Sequence, residues 1–534
     1  MSAHFKWYPA SEEVVVPWNA RYSFPSQSNK AVKITPRIPP KNGAVFSPGQ
    51  VIRLEFPAQG YVNPLNTTLE FDVTLYGPGG TTQFTRFQNN IQSIFSRVRL
   101  LYGATPLEDM INYNVIVRSL TEWTATNQHM TMDQTSIAEG IGGITIASDG
   151  SNPAVFGVVN TRQKYVQGIS ASSTTSGTAF SAGASLGGVP NSSTQAVPAG
   201  VTGNGTVGVT RRYQINFALG LFTQDKLIPT KFMASQLAIE ITLEQPAACI
   251  YSSGGTAPTT SPTYGVGNVN LIPEILEFDA SYDSMFLAGL RDGGVPLKFS
   301  SWHTFIFSSG SAANLNLLVQ ERSRSVKALF AVQRRSQPLF DRDSGATFFD
   351  TSSDGASALQ TYQFRIGGRY FPAAPVQCSA NIASGISNGG AEAYVELSKA
   401  LNIVGDYRLS SNCNTMKWAM QNASGLLQEY DYSGKFIGFS SVGIPTIQTG
   451  ETAANSFAAD WGSQCFAMAS DLETSNGIEI SGLNAEEQSD IALIANYKGT
   501  QVTGSSNTPS SVEVYSYYDA MIVLRENNVL ELIQ

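Results

Sequence analysis

Three histidines are the only imidazoles in the 534 residues: His4, His129 and His303. General-base and zinc chemistry draw heavily on His, and three so widely separated are hard to gather into one site. His303, beside Trp302, reads as a sheet residue with a satisfied ring. Two Gly-x-Ser-x-Gly strings, around Ser185 and Ser387, could be nucleophile elbows. That device needs a strand before it, a helix after it and a His later in the chain. Ser185 lies in a Gly/Ser-rich stretch and no His follows Ser387, so both read as products of composition. Gly203-Asn204-Gly205-Thr206-Val207-Gly208 matches a dinucleotide fingerprint, but a strand pattern follows it where phosphate binding needs a helix N-terminus. Asp341-Arg342-Asp343-Ser344-Gly345 resembles the start of a calcium loop; it lacks the third acidic position and reads as an acidic turn. Arg322, Arg324 and Lys327 read as a solvated face rather than a nucleic-acid patch. Cys249, Cys378, Cys413 and Cys465 form no Cys-x-x-Cys pair and read as small buried thiols in a reducing compartment. Sequons at Asn66, Asn191, Asn204 and Asn422 matter only with a secretory route. No catalytic, cofactor-binding or metal site is expected, and the chain does not read as an enzyme.

The elements around these residues are mostly strands. Only 14% of residues are charged, against roughly 25% in ordinary soluble domains, while 48 Gly and 25 Pro supply many turns. Ile52, Leu54 and Phe56 alternate with Arg53 and Glu55; Leu69, Phe71, Val73 and Leu75 alternate with Glu70, Asp72 and Thr74. Val98 and Leu100 alternate with Arg97 and Arg99, and Tyr213, Ile215, Phe217, Leu219 and Leu221 continue the pattern. This period of two marks half-buried antiparallel strands. Leu107, Met110, Ile111, Asn114, Val117, Leu120 and Trp123 recur at three- and four-residue spacing, which predicts one helix of about four to five turns. A second helix is expected over Ala391–Leu401.

The first 41 residues carry Lys6, Arg21, Lys30, Lys33, Arg37 and Lys41 against Glu12 and Glu13, although the whole chain has a net charge of −8. Pro9, Pro17, Pro25, Pro36, Pro39 and Pro40 forbid a continuous helix there, so residues 1–41 read as an extended basic arm. Glu12 and Glu13 also stand where a signal peptide needs an apolar run, so secretion by that route is not expected. No apolar stretch is long enough for a membrane-spanning helix. Residues 165–210 hold no charged side chain and read as a long surface loop between two strands.

Weak internal echoes suggest a duplication. Ile52–Pro57 resembles Leu297–Trp302, Ser93–Val98 resembles Ser325–Phe330, and Phe217–Leu221 resembles Phe466–Ser470. Tyr282-Asp283-Ser284-Met285, in a strand-like segment, returns as Tyr518-Asp519-Ala520-Met521. Similar order and spacing predict two homologous all-β units, over residues 42–288 and 289–534.

Several segments carry a family resemblance: Phe46–Phe56, Phe217–Pro229, Gln236–Leu243, Gln363–Pro375, the 391–401 helix and Tyr515–Met521. They resemble double jelly-roll major capsid proteins, most of all those of polinton-like viruses, adintoviruses and virophages. The resemblance implies two fused eight-stranded antiparallel jelly-roll sandwiches with a few short helices and long loops. It further implies a homotrimeric, pseudo-hexameric capsomer tiling an icosahedral virion shell, made inside the host cell. Implied partners are other copies of the chain, neighbouring capsomers, and penton and minor capsid proteins. The N-terminal arm would reach minor proteins or genome. The alternative is a carbohydrate-binding or adhesive β-sandwich, spike or lectin-like, with Tyr362 or Trp461 stacking on sugars.

Overall fold

The computed structural model describes residues 31–76, 84–87, 91–124, 145–148, 156–159, 171–172, 208–252, 263–291, 293–309, 313–335, 359–378, 391–403, 427–430, 436–440, 466–473, 481–487, 490–497, 509–525 and 530–534. The strands of the first part are β1 (Ala31–Ile34), β2 (Val45–Phe46), β3 (Val51–Glu55), β4 (Tyr61–Tyr76), β5 (Phe84–Phe87), β6 (Phe95–Tyr102) and β7 (Thr105–Ile111). Helix α1 (Tyr113–Thr124) follows, then β8 (Thr145–Ser148), β9 (Phe156–Val159), β10 (Ala171–Ser172), β11 (Gly208–Asn216), β12 (Leu237–Leu243), β13 (Ile250–Ser252) and β14 (Thr263–Phe278). Helix α2 (Ala280–Arg291) leads into β15 (Val295–Ser308), β16 (Asn314–Val319), β17 (Val326–Arg335), β18 (Leu359–Ile366) and β19 (Arg369–Gln377). Helix α3 (Ala391–Ala400), β20 (Leu427–Tyr430), β21 (Phe436–Ser440), β22 (Met468–Asp471), β23 (Ile491–Tyr497), β24 (Pro509–Leu524) and β25 (Leu530–Ile533) complete the order.

Two facing sheets form each half. In the first, β1-β14-β4-β11 opposes β3-β12-β6-β7; in the second, β15-β24-β17-β22 opposes β16-β23-β18-β19. The pairing inside these four sheets is antiparallel. Counting the eight principal strands of each half in chain order gives the same arrangement twice, 1-8-3-6 facing 2-7-4-5. That is the jelly-roll order, and each half places a helix after its fifth strand, α1 after β7 and α3 after β19.

Alternation decides which face each strand buries. Ile52 and Leu54 of β3, Val98 and Leu100 of β6, and Ile239 and Ile241 of β12 point inward and are fully buried. Leu69, Phe71, Val73 and Leu75 of β4 meet them from the opposing sheet. Each such side chain contributes about 1.5–3 kcal/mol of transfer free energy. The intervening charges pair outside: Arg53 with Glu240 at 3.0 Å, and Arg99 with the same carboxylate at 2.5 Å.

Four expectations change. The echoes that suggested duplication do not mark equivalent strands. Ile52–Glu55 lies in a second strand whereas Leu297–Trp302 lies in a first, and Phe95–Val98 belongs to a fourth whereas Val326–Phe330 belongs to a third. Tyr282–Met285 is in helix α2, capped by the Asp279 side chain on the Ala280 amide at 2.8 Å, and not in a strand. The duplication is one of topology. The helix expected from Leu107 begins only at Tyr113, because Asn112 takes a φ of 53° and the preceding residues pair with β6 across the Gly103 turn. The strand expected to run through Leu221 ends at Asn216 and gives way to a helical turn, Gly220–Thr223.

The arm also needs correction. Residues 31–41 are not extended away from the body: β1 pairs with β14 from Ala31↔Phe278 to Ile34↔Ile275, and Ile38 exchanges backbone hydrogen bonds with Leu271. β-branched Val32 and Ile34 suit a sheet edge, and Lys33 pairs with Glu274 and Arg37 with Glu70 at 3.3 Å. Residues 1–30 lie outside the described part, as does most of 165–210. A chain starting at residue 42 should therefore melt several degrees below one starting at residue 31, measured by differential scanning fluorimetry; equal melting temperatures would contradict the pairing.

Candidate functional site: the junction between the two sandwiches

Among the described residues, those whose patterns could suggest chemistry are not brought together. His303 lies on β15 with its ring stacked on Tyr518 at 4.0 Å. Its Nδ1–H donates to the buried Glu321 carboxylate at 3.1 Å, a tautomer set by the acceptor-only partner. Glu321 also accepts from the Arg322 amide (2.8 Å), the Ser323 amide (2.9 Å) and the Ser323 hydroxyl (2.6 Å). A hydrolytic triad needs the imidazole between acid and hydroxyl. Here both groups bond to the acid, so Ser323 has no base beside it and Glu321 acts as the organiser of the β16–β17 connection. Burial pushes the Glu321 carboxyl up, but the hydrogen bond and charge of His303 and the Ser323 hydroxyl outweigh it and bring it to about 2.

The other candidates resolve into packing. Tyr362 is fully buried, and its hydroxyl donates to the Ala469 carbonyl at 3.0 Å, so it offers no face to a sugar. Lys327 sits between Glu473 (3.1 Å) and Asp519 (3.8 Å) with little exposure, which corrects the expectation of a solvated face; Arg324 does reach outward, to Glu486 at 2.8 Å. Cys249 and Cys378 are buried and free, and burial pushes both thiols up, away from reactivity. Cys413, Cys465, Trp461, His4, His129, both Gly-x-Ser-x-Gly strings and Asp341–Gly345 lie outside the described residues. Gly208 opens strand β11, so a strand does follow the glycine fingerprint. Among the described residues no group of three or more His, Cys, Asp or Glu is placed to hold a metal ion, and no helix is long and apolar enough to cross a membrane.

What the structure does assemble is a sealed joint. β7 lies along β15, and the Thr304 hydroxyl donates to the Ile111 carbonyl at 2.9 Å. Between them Glu108, 2% exposed, accepts three hydrogen bonds: from the Gly220 amide (2.7 Å), the Leu221 amide (2.8 Å) and the Ser301 hydroxyl (2.6 Å). The first two donors belong to the first sandwich and the third to the second, so one carboxylate ties three segments. Burial pushes this carboxyl above its ordinary range, and the three donors pull against that shift. Gly220 approaches so closely that an added Cβ would stand 2.0 Å from the Ser300 carbonyl oxygen. Trp123, at the end of α1, stacks on Phe330 at 5.3 Å, and Trp302 lies against the same ring at 5.4 Å. The buried side chains of both sandwiches form one continuous cluster through this contact.

Sequence reasoning missed Glu108, which sat on the polar side of a misplaced helix. The available signal was Gly103, five residues before it, a turn residue that opens a hairpin. Glu108→Ala should cost about 3 kcal/mol in urea unfolding, because two buried backbone donors at about 1–3 kcal/mol each lose their acceptor. A cost below about 1 kcal/mol would mean that water or a neighbour replaces the carboxylate. Glu321 sets a second expectation. With a folded value of about 2 against an ordinary 4.5, its contribution is complete above pH 4.5 and is lost as pH falls towards 2. Glu321→Gln should flatten the acid limb of the stability profile in that window, by up to about 1.4 kcal/mol per pH unit. An unchanged limb would count against the assignment.

No family model and no curated protein matches the chain. Solved structures do. A cryo-electron microscopy structure of the Sputnik virophage is similar with a TM-score of 0.53 at 12% identity, covering 98% of this chain and 92% of that one. PBCV-1 VP54, fitted into a Sputnik reconstruction, gives 0.51 at 9% identity with 96% and 99% covered. A quasi-atomic model of the PBCV-1 virus capsid gives 0.50 at 10% identity over the same shares. With both sandwiches covered from end to end, the chain has the double jelly-roll fold that these capsid structures share.

Proposed function

We propose that this chain is a major capsid protein, a non-enzymatic wall element of a virus shell. The observation that carries the reading is the sealed joint: two sandwiches of identical strand order locked side by side through a buried carboxylate and an aromatic stack. Such a rigid double unit suits a lattice, in which position matters more than motion. The fold neighbours, all from virus particles, support the same reading.

In this reading three chains close into a pseudo-hexameric tile, and tiles contact one another and minor or penton proteins. The units run over residues 42–288 and 289–534, with residues 31–41 added to the first by the pairing of β1. In the same reading the basic N-terminal arm, residues 1–41, contacts minor proteins or genome. Rotational closure satisfies exposed faces without open-ended polymerisation. Light scattering of the purified chain should give about three times 57.2 kDa across nanomolar to micromolar concentrations, with six-lobed particles in negative-stain images. A persistent mass of 57.2 kDa would overturn the proposal.

A further inference from the structure

Lys327 differs from the other paired lysines of the described part in how little of it reaches water. Its side chain is 16% exposed, whereas the five other lysines that form ion pairs there are 45–72% exposed. A β-bulge puts it there. Val326 faces Tyr518 and Ala328 faces Tyr517, so Lys327 is the extra residue of β17 and has no opposite number in the ladder. Bulges re-aim side chains, and this one brings the amine to Asp519, further along β24. The nitrogen also lies 5.5 Å from the Tyr517 ring, which packs on Trp302.

Two carboxylates reach the amine, and each is held differently. Glu473, 3% exposed, stands 3.1 Å from Nζ, and its oxygens also accept from the Ser481 hydroxyl and the Asn402 amide, both at 2.8 Å. Asp519 stands 3.8 Å from Nζ. The Ser300 hydroxyl donates to its Oδ1 at 2.6 Å and the Ser325 hydroxyl to its Oδ2 at 3.2 Å. Ser325 is itself fixed by the Gly482 amide at 3.0 Å. Donors on both oxygens of Asp519 polarise its carboxyl carbon and are placed to carry the charge of a tetrahedral adduct. A primary amine, an acyl carbon with both oxygens held, and a second carboxylate that can move the protons of the amine are the parts of an amide condensation.

We infer that Lys327 and Asp519 join as an isopeptide, a covalent bond between β17 and β24 that the folded chain makes by itself. Burial pushes the ammonium towards losing its proton, but the charges of Asp519 and Glu473 hold it on, so the ion pair is the starting state. The ammonium passes one proton to Glu473, and the free amine attacks the Asp519 carboxyl carbon. The C–N bond forms and one C–O bond breaks. The departing oxygen takes the two protons that the nitrogen gives up, one of them by way of Glu473, and leaves as water. Glu473 ends as it began, and the balance needs no oxidant or co-reactant. Positioning within one fold replaces a bimolecular encounter, at effective molarities of about 10⁵–10⁸ M. The product is neutral, so the cost of keeping an ammonium and a carboxylate from water disappears. A guanidinium stays charged and does not follow this course, so Arg334 and Glu513, on the same two strands, remain an ion pair. The bond forms within one chain, in a monomer as in a tile, so its test is separate from that of the shell reading.

Mass spectrometry of the denatured, trypsin-digested full-length chain decides. Wild type should release one branched peptide, Ser325–Arg334 joined to Gly499–Arg525 and lighter than their sum by one water, because acylated Lys327 is no longer cut. Lys327→Arg, which keeps the charge, should give Gly499–Arg525 alone at its sequence mass. Glu473→Gln, which keeps both reacting groups, should give linear peptides with Lys327 cut. Linear peptides from the wild type overturn the inference, and that digest stands on its own should either variant fail to fold. A branched peptide as abundant in Glu473→Gln as in the wild type overturns the role given to Glu473.

Discussion

A carboxylate with no access to water is costly unless hydrogen bonds compensate it, and the arrangement of this molecule follows from meeting that demand at Glu108. Its donors come from the helical turn after β11 and from β15, segments that are far apart in sequence. Holding them within 2.6–2.8 Å of one side chain fixes the distance between the sandwiches, the absence of a side chain at residue 220 and the course of the chain from Asn216 to Thr223. An apolar contact of similar area would tolerate sliding. A triply bonded buried charge does not, since any displacement exposes an unsatisfied group. The Trp123–Phe330 stack then adds area to an alignment already set.

The strands were legible because period two survives wherever one face is buried. Ile52/Leu54, Val98/Leu100 and Leu69–Leu75 all fall as the alternation requires. The all-β class and the jelly-roll resemblance also hold. What failed were places where short-range pattern is ambiguous. Leu107 and Met110 fit a helical spacing, yet they belong to a hairpin whose turn residue Gly103 carries the decisive information. Residues 31–41 look like a tail because their prolines and charges are typical of tails; their pairing partner, β14, lies over two hundred residues away. Long-range pairing leaves no local trace.

Duplication gives the sharper lesson. Two of the pairs that seemed to repeat sit in strands of different rank and a third sets a helix against a strand, whereas the truly equivalent strands, such as β6 and β18, share little beyond alternation. A jelly roll constrains which positions face inward, not which apolar residue fills them, so order and spacing outlast identity. The same reasoning covers the junction: Glu108 is a single residue whose role depends on donors delivered by distant segments, and it stands in no recognisable string.

The length of the eighth strands has a mechanical meaning. β24 is paired with β15 along fourteen consecutive residues and with β17 on its other side, and β14 is likewise held between β1 and β4. A pull along such a strand loads all of its cross-strand bonds together in shear, instead of opening them one after another as a pull across it would. Sixteen residues extend over roughly 50 Å. Each half therefore carries a stiff tie sixteen residues long, and a load directed along that axis would meet the strongest direction of the material.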